Sequence, residues 1–267
     1  MKFELCTIAS GSSGNCIYIG TDKYKILVDA GISGKRIAAG LEQIGVEPDE
    51  IQGVFITHEH SDHIKGAGII SRKYNWPIYA TQGTWDVMLE EKKIGKVSEE
   101  NIKIVDKGRP MHFSGLEIMP YSIYHDAADP VGYTFCYGQK KMSIATDLGH
   151  VDQTIINELK NSHLILLESN HDVRMLQAGG YPYYLKQRIL GENGHLSNEL
   201  AAEALLGVYN ENLEHAILGH LSRENNFPDL AYITTKNKLQ SNGIEVGKDI
   251  KVSVANKDEI SEIYRVL

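Results

Sequence analysis

Three histidines and an aspartate, His58, His60, Asp62 and His63, fall within six positions of the run Thr57-His58-Glu59-His60-Ser61-Asp62-His63. The run follows Val54-Phe55-Ile56 directly. Such an apolar triplet reads as a buried strand, so the cluster sits where the strand's C-terminal end turns into a loop. Residues at i and i+2 of an extended chain point the same way, so His58 and His60 can grip one cation together. Past the turn, Asp62 and His63 project elsewhere and can hold a second cation. Imidazole and carboxylate donors at this density suit Zn²⁺ or Mn²⁺ and need no thiolate. Leaving so many titratable groups beside an apolar strand without a metal would be costly, which disfavours a merely polar loop.

This His-x-His-x-Asp-His run is the signature of the metallo-β-lactamase superfamily, which the chain resembles. The resemblance implies three further ligands in a fixed order, and candidates stand in that order at His125, Asp147 and His220. Each follows a strand-like run: Glu117 to Tyr124, Met142 to Thr146, and Ala216 to Gly219. Strand C-termini are where open α/β sheets gather their sites. By resemblance, His58, His60 and His125 hold one metal, Asp62, His63 and His220 hold the other, and Asp147 bridges them. Asp62 and Asp147 are thereby catalytic as well as metal-binding. Two cations roughly 3.5–4 Å apart can share a water and lower its pKa, giving a bridging hydroxide as nucleophile, and can neutralise charge on a phosphoryl or carbonyl oxygen.

Composition is ordinary for a soluble globular protein. The chain has 267 residues and a net charge of −8, which by itself does not suggest a nucleic-acid binder. Divalent ions would, however, add positive charge in the one place a phosphate would go. No apolar run is long enough to span a membrane, and Met1-Lys2-Phe3-Glu4-Leu5 lacks a signal peptide's hydrophobic core. Cys6, Cys16 and Cys136 show no metal-type spacing and read as reduced thiols of a cytoplasmic protein.

No repeat or linker divides the chain, so a single domain over residues 1–267 is expected. Short strands at Glu4–Ile8, Cys16–Ile19, Lys25–Asp29 and Val54–Ile56 precede helical patterns at Gly34–Ile44, Ile64–Tyr74 and Thr81–Lys93. A second set of strands runs from Ile102 to Ala145. The superfamily resemblance, rather than periodicity, supplies the architecture: an α/β, four-layer αββα sandwich with the metals along one edge.

Gly194-His195-Leu196-Ser197-Asn198 opens an alanine-rich helix, with Ser197 as N-cap and Glu199 in the first turn. The stretch is similar to the His-x-Ser/Thr segment of tRNA-processing ribonuclease Z, where the histidine protonates the leaving oxygen of a phosphodiester. Carried over, His195 becomes a general-acid candidate, since a group titrating near neutrality can donate that proton.

Scattered pieces then fall into one pattern: Ser10-Gly11-Ser12-Ser13-Gly14-Asn15-Cys16, His125 to Tyr133, Glu168-Ser169-Asn170-His171-Asp172, Leu185 to Leu190, Gly194 to Asn198, and Leu218 to Asn226. Together they resemble the bacterial YycJ/WalJ (VicX) family over nearly the whole chain. What the resemblance implies is a manganese-assisted exonuclease degrading duplex DNA from the 5′ end, a hydrolase with DNA as partner. RNA cleavage of the ribonuclease Z kind is the first alternative. A glyoxalase II-like thioesterase or small phosphodiesterase shares the metal set, and a non-enzymatic regulatory partner is disfavoured by it.

Substrate contacts are less legible. Arg188, Arg174, Lys186 and Arg223 can meet a phosphate backbone or be solvated surface. Asn225 lies in the same pattern. Ser12 sits in a Gly/Ser turn that could cradle a phosphate, though a turn needing glycine's backbone freedom is the favoured reading. Tyr181, Tyr183 and Tyr184 could stack on bases, with core or rim packing the expectation. His112, His163 and His215 read as structural or exposed, and His150 and His171 as groups lining the cleft.

Overall fold

The computed structural model of the protein describes residues 2–266. In chain order its elements begin with β1 (Phe3–Ala9), β2 (Cys16–Thr21), β3 (Lys25–Val28), α1 (Gly34–Gln43), β4 (Val54–Phe55), α2 (Ser61–Ile64), α3 (Ala67–Tyr74) and β5 (Ile78–Ala80). Next come α4 (Gln82–Glu90), β6 (Ile102–Ile104), β7 (Met111–Phe113), β8 (Leu116–Ser122), β9 (Val131–Tyr137), β10 (Lys140–Ala145) and α5 (Gln153–Leu159). The remainder is β11 (Leu164–Glu168), α6 (Val173–Ala178), α7 (Tyr183–Leu190), α8 (Asn198–Val208), β12 (His215–Gly219), α9 (Pro228–Ser241), β13 (Lys251–Val254) and β14 (Tyr264–Arg265).

The strands form two seven-stranded mixed sheets, ordered β14-β1-β2-β3-β4-β5-β6 and β13-β12-β11-β10-β9-β8-β7. The chain divides into two compact units, neither a continuous stretch. One runs to Pro120 and adds Ala127–Val131 and the segment from Asn256 on; the other holds Tyr121–Asp126 and Gly132–Ala255.

Each sheet has a parallel half, β3 to β6 in the first and β10 to β13 in the second. The inner strands there are the most apolar: β11 is Leu-Ile-Leu-Leu-Glu and buried throughout, as a parallel strand covered on both faces requires, whereas the edge strands β6 and β13 carry lysines and are part-exposed. Helices cover them with one apolar face. α1 buries Ile37, Gly40 and Leu41, spaced for a single stripe, and Ser33 caps it by accepting the Arg36 N–H. In the second unit α8 starts as the sequence leads one to expect, with the Ser197 side chain accepting the Leu200 N–H and Glu199 in the first turn.

The helix expected from Ile64 to Tyr74 begins only at Ala67, with a separate short helix, α2, ending at Ile64. The pattern from Ile64 to Tyr74 is broken between α2 and α3. The Asp62 carbonyl accepts the Asn15 N–H at 2.7 Å, and the Gly66 N–H goes to the Ala30 carbonyl at 2.7 Å. The i to i−4 ladder is therefore interrupted at Gly66, one step after the Lys65 N–H bonds the Ser61 carbonyl, which lets Ser61–Ile64 bend back toward β3. Gly31 permits that bend: a Cβ there would lie 1.6 Å from the Asp62 carbonyl oxygen.

His215, at the start of β12, donates to or accepts from Ser253 Oγ at 2.9 Å. Burial, reinforced by the charge of Lys251, lowers its pKa to about 4. The unfolded chain titrates near the ordinary value of about 6.5, so below that pH it binds a proton the folded chain refuses. This contribution to stability is complete above about pH 6.5 and is lost as pH falls toward about 4. Thermal melts from pH 7.5 to 5 are expected to show a shallower loss of Tm in His215→Gln than in the wild type; equal slopes would contradict the assignment.

Candidate metal centre

In the first unit the candidate ligands gather at the C-terminal ends of β3 and β4. The His58 ring lies 4.6 Å from that of His60 and 4.1 Å from that of His63, centroid to centroid. His63 Nε2 is 3.4 Å from Asp62 Oδ2. His58 and His63 are fully buried.

The orienting group is Asp29, immediately after β3. Its Oδ2 sits 2.7 Å from His63 Nδ1, and Thr57 donates to the same carboxylate from its backbone N–H and its hydroxyl. Thr57 Oγ1 also lies 3.0 Å from His58 Nδ1. With Nδ1 of His63 engaged by a carboxylate, Nε2 is the nitrogen left to face Asp62, the arrangement by which proteins fix a metal-binding imidazole. Burial pushes the Asp29 carboxyl above its usual range, against the opposing pull of His63. The Asn15 amide lies 3.2 Å from His63 Nε2, which ties the turn at Ser10–Asn15 to this cluster. Asn15 Oδ1 closes that turn by accepting the Gly11 N–H at 2.9 Å, with Ser12 exposed at its tip.

In the second unit, Asp147 is the centre. Three imidazole nitrogens surround its Oδ1: His220 Nε2 at 3.4 Å, His195 Nδ1 at 3.8 Å and His125 Nε2 at 3.9 Å. Behind them lies Glu168, the last residue of β11. Its Oε1 is 2.8 Å from His195 Nδ1 and 2.9 Å from His220 Nδ1. Its Oε2 accepts the backbone N–H of Leu148 at 2.7 Å and of Leu196 at 3.2 Å. Glu168 is wholly buried; burial opposes its charge, but the two imidazoles outweigh this and hold its carboxyl far below the usual range. Burial likewise pulls His195 down, and Glu168 with Asp147 more than offsets it, so the imidazole sits above its ordinary value. Asp147, Glu168, His195 and His220 each present an atom within reach of one ion.

Both clusters thus share one design: a histidine whose Nδ1 is taken by a buried carboxylate and whose Nε2 faces an aspartate. This donor set fits Zn²⁺ or Mn²⁺. Backbone strain marks the same residues. Asp29, Asp147 and His220 adopt left-handed φ values of 60°, 60° and 55°, each just past a strand's end. Non-glycine residues in this region cost of order 1–3 kcal/mol and gather at functional sites. Gly149 is also required: a Cβ there would lie 2.0 Å from the Glu192 carbonyl oxygen, so it brings the segment after Asp147 against the one before His195.

Arg188 forms a bidentate pair with Asp126, the neighbour of His125. Arg223 and Arg174 are exposed. Asn225 is buried, its carbonyl accepting the Asp172 N–H at 2.9 Å. Tyr183 and Tyr184 are not rim packing but stand out at 76% and 74% exposure, because α7 buries none of its residues. His150 stacks on Tyr124, centroids 3.9 Å apart. His171 is buried, and neither ring nitrogen has a hydrogen-bond partner among the described residues; burial lowers its pKa to about 4.

No helix among the described residues is long and apolar enough to cross a membrane. A family profile described as "Beta-lactamase superfamily domain" matches residues 24–220. The chain is 40% identical over 264 residues to exodeoxyribonuclease WalJ of Streptococcus pneumoniae, covering 99% of this chain and 98% of that protein. It is 39% identical over 252 residues to exodeoxyribonuclease YycJ of Bacillus anthracis, covering 94% and 95%. Its backbone is similar to the metallo-β-lactamase fold protein YhfI from Bacillus subtilis, with a TM-score of 0.73 at 14% identity over the full length of both.

Proposed function

Because the chain belongs to the beta-lactamase superfamily and, within it, to the family of the WalJ and YycJ exodeoxyribonucleases, we propose that it hydrolyses DNA phosphodiesters from the 5′ end of a duplex. In this reading His58, His60, Asp62, His63, His125, Asp147 and His220 hold two divalent ions, manganese or zinc, with Asp147 between them. When bound, such ions activate water and neutralise charge on a phosphoryl group.

The observation that carries the reading is the shared carboxylate Glu168, whose Oε1 holds a ligand, His220, and an acid, His195, at 2.9 and 2.8 Å. With Nδ1 fixed, His195 can carry a proton on Nε2 and give it to the oxygen that leaves phosphorus. A thioester needs no such donor, because a thiolate leaves unaided; a sugar hydroxyl does. Asp62, part-exposed beside His63, is the acidic residue open to the attacking water. Arg188, Arg223, Ser12 and Asn225 contact the substrate strand in this reading, with Arg188 exchanging Asp126 for a phosphate.

Metal removal tests the class of reaction. Chelator-treated protein is expected to lose cleavage of duplex DNA and to regain it on addition of Mn²⁺, with RNA and a glutathione thioester turned over far more slowly. Activity that survives chelation, or faster turnover of the thioester, would overturn the proposal.

A further inference from the structure

Cleavage of a strand from its 5′ end dictates where the released nucleotide must lie. The bond that breaks joins phosphorus to the 3′-oxygen of the terminal nucleotide, while the oxygen of the incoming water bonds to phosphorus and loses its proton to solvent. His195 gives its proton to that 3′-oxygen. The leaving nucleoside therefore lies on the His195 side of the scissile phosphate. The second unit has an open groove of about 220 Å³ beside the residue that follows His195, lined by His150, Val151, Ile156, Leu196, Leu200 and Glu203, among others.

Its position is tied to the chemistry through the backbone. Leu196 follows the acid, and its N–H is bound by the carboxylate that orients the acid. His150 lies three residues past Asp147, and its Nδ1 meets the Glu192 carbonyl at 2.9 Å, just ahead of His195. The Gly149 N–H donates to the Tyr124 carbonyl at 2.8 Å, which places the Tyr124–His150 stack beside His125.

The groove's chemistry selects its occupant. None of these six lining residues is a lysine or arginine, and the one carboxylate, Glu203, is paired with Lys238 at 2.9 Å. A phosphate finds there only a cation already neutralised by a carboxylate. A flat, neutral ring finds aliphatic side chains and the His150 ring, and the volume is that of roughly seven waters, room for one nucleobase. Leu200 is 45% exposed although it is a large aliphatic residue.

We infer that this groove receives the base of the 5′-terminal nucleotide and holds it while its 3′-oxygen departs. The inference rests on the exonuclease reading and goes beyond it by assigning a subsite. It predicts that the enzyme senses a base at the end of the strand whatever its identity, since stacking is tolerant of sequence.

The test compares duplexes with a 5′-terminal nucleotide that is either intact or abasic, using wild type, Leu200→Trp and Leu200→Lys in the full chain with Mn²⁺. Wild type is expected to release the intact terminus on the order of tenfold faster than the abasic one. Both variants are expected to bring that ratio close to one, Trp by filling the groove and Lys by charging it. Equal rates on the two duplexes in the wild type, or an unchanged ratio in both variants, would overturn the pocket and leave the exonuclease reading intact. No release from either duplex by the wild type would overturn both.

Discussion

Asp147→Ala is expected to lose nearly all cleavage while the chain still folds. Asp147 Oδ1 is the atom toward which His125, His195 and His220 converge in the second unit. Removing it takes the central anion from among three imidazoles and, in the proposed centre, the ligand common to both ions. The residue holds φ at 60°, and alanine must keep that conformation without the carboxylate that repays it, so Asp147→Asn is the companion variant. Asparagine tolerates the left-handed region and keeps the shape but not the charge. Both are expected to fall by far more than tenfold in kcat/KM with reduced Mn²⁺ content. A rate within tenfold of wild type in either would contradict the assignment.

His195→Ala is expected to behave differently, and the contrast is the informative part. Its rate should fall by roughly 10²–10⁴, the usual worth of a positioned general acid, while metal content stays near wild type. The two imidazoles differ in how they are held: His195 Nδ1 meets Glu168 and lies 3.8 Å from Asp147, whereas His220 gives Nδ1 to Glu168 and turns Nε2 to Asp147 at 3.4 Å. A substrate with an activated leaving group, such as a nitrophenyl phosphodiester, needs no proton there, so the variant's defect should shrink markedly on it. An emptied metal centre would make His195 a ligand, and an equal defect on both substrates would remove it as the acid.

The candidate ligands were legible in the sequence because they follow apolar strands directly. Val54-Phe55-Ile56 before His58 and Ala216-Ile217-Leu218-Gly219 before His220 each announce a buried strand whose C-terminal end must open into a loop. The carboxylates behind them were not. Asp29 stands 34 residues from His63, and Glu168 stands 27 from His195 and 52 from His220. Only the parallel pairing of β3 with β4, and of β10, β11 and β12 with one another, brings them together. Glu168 had a trace in the sequence, as an acid ending the apolar run Leu164-Ile165-Leu166-Leu167, the same grammar that marks Asp147.

Local pattern failed where distant backbone intervened. The stretch from Ile64 to Tyr74 has helical periodicity throughout, yet Asn15 and Ala30 take the hydrogen bonds that would have joined α2 to α3. The exposure of Tyr183 and Tyr184 was equally hidden, since aromatic residues beside a proline resemble packing residues until the helix is seen to bury none of its own.

The most direct measurement follows labelled nucleotide released from matched duplexes, one labelled at the 5′ end and one at the 3′ end, with Mn²⁺ and with Asp147→Ala protein as the control. The account predicts that labelled mononucleotide appears at once from the 5′-labelled duplex and only late from the 3′-labelled one, with none from the control. Early release of the 3′ label, or release that persists in the control, would contradict it.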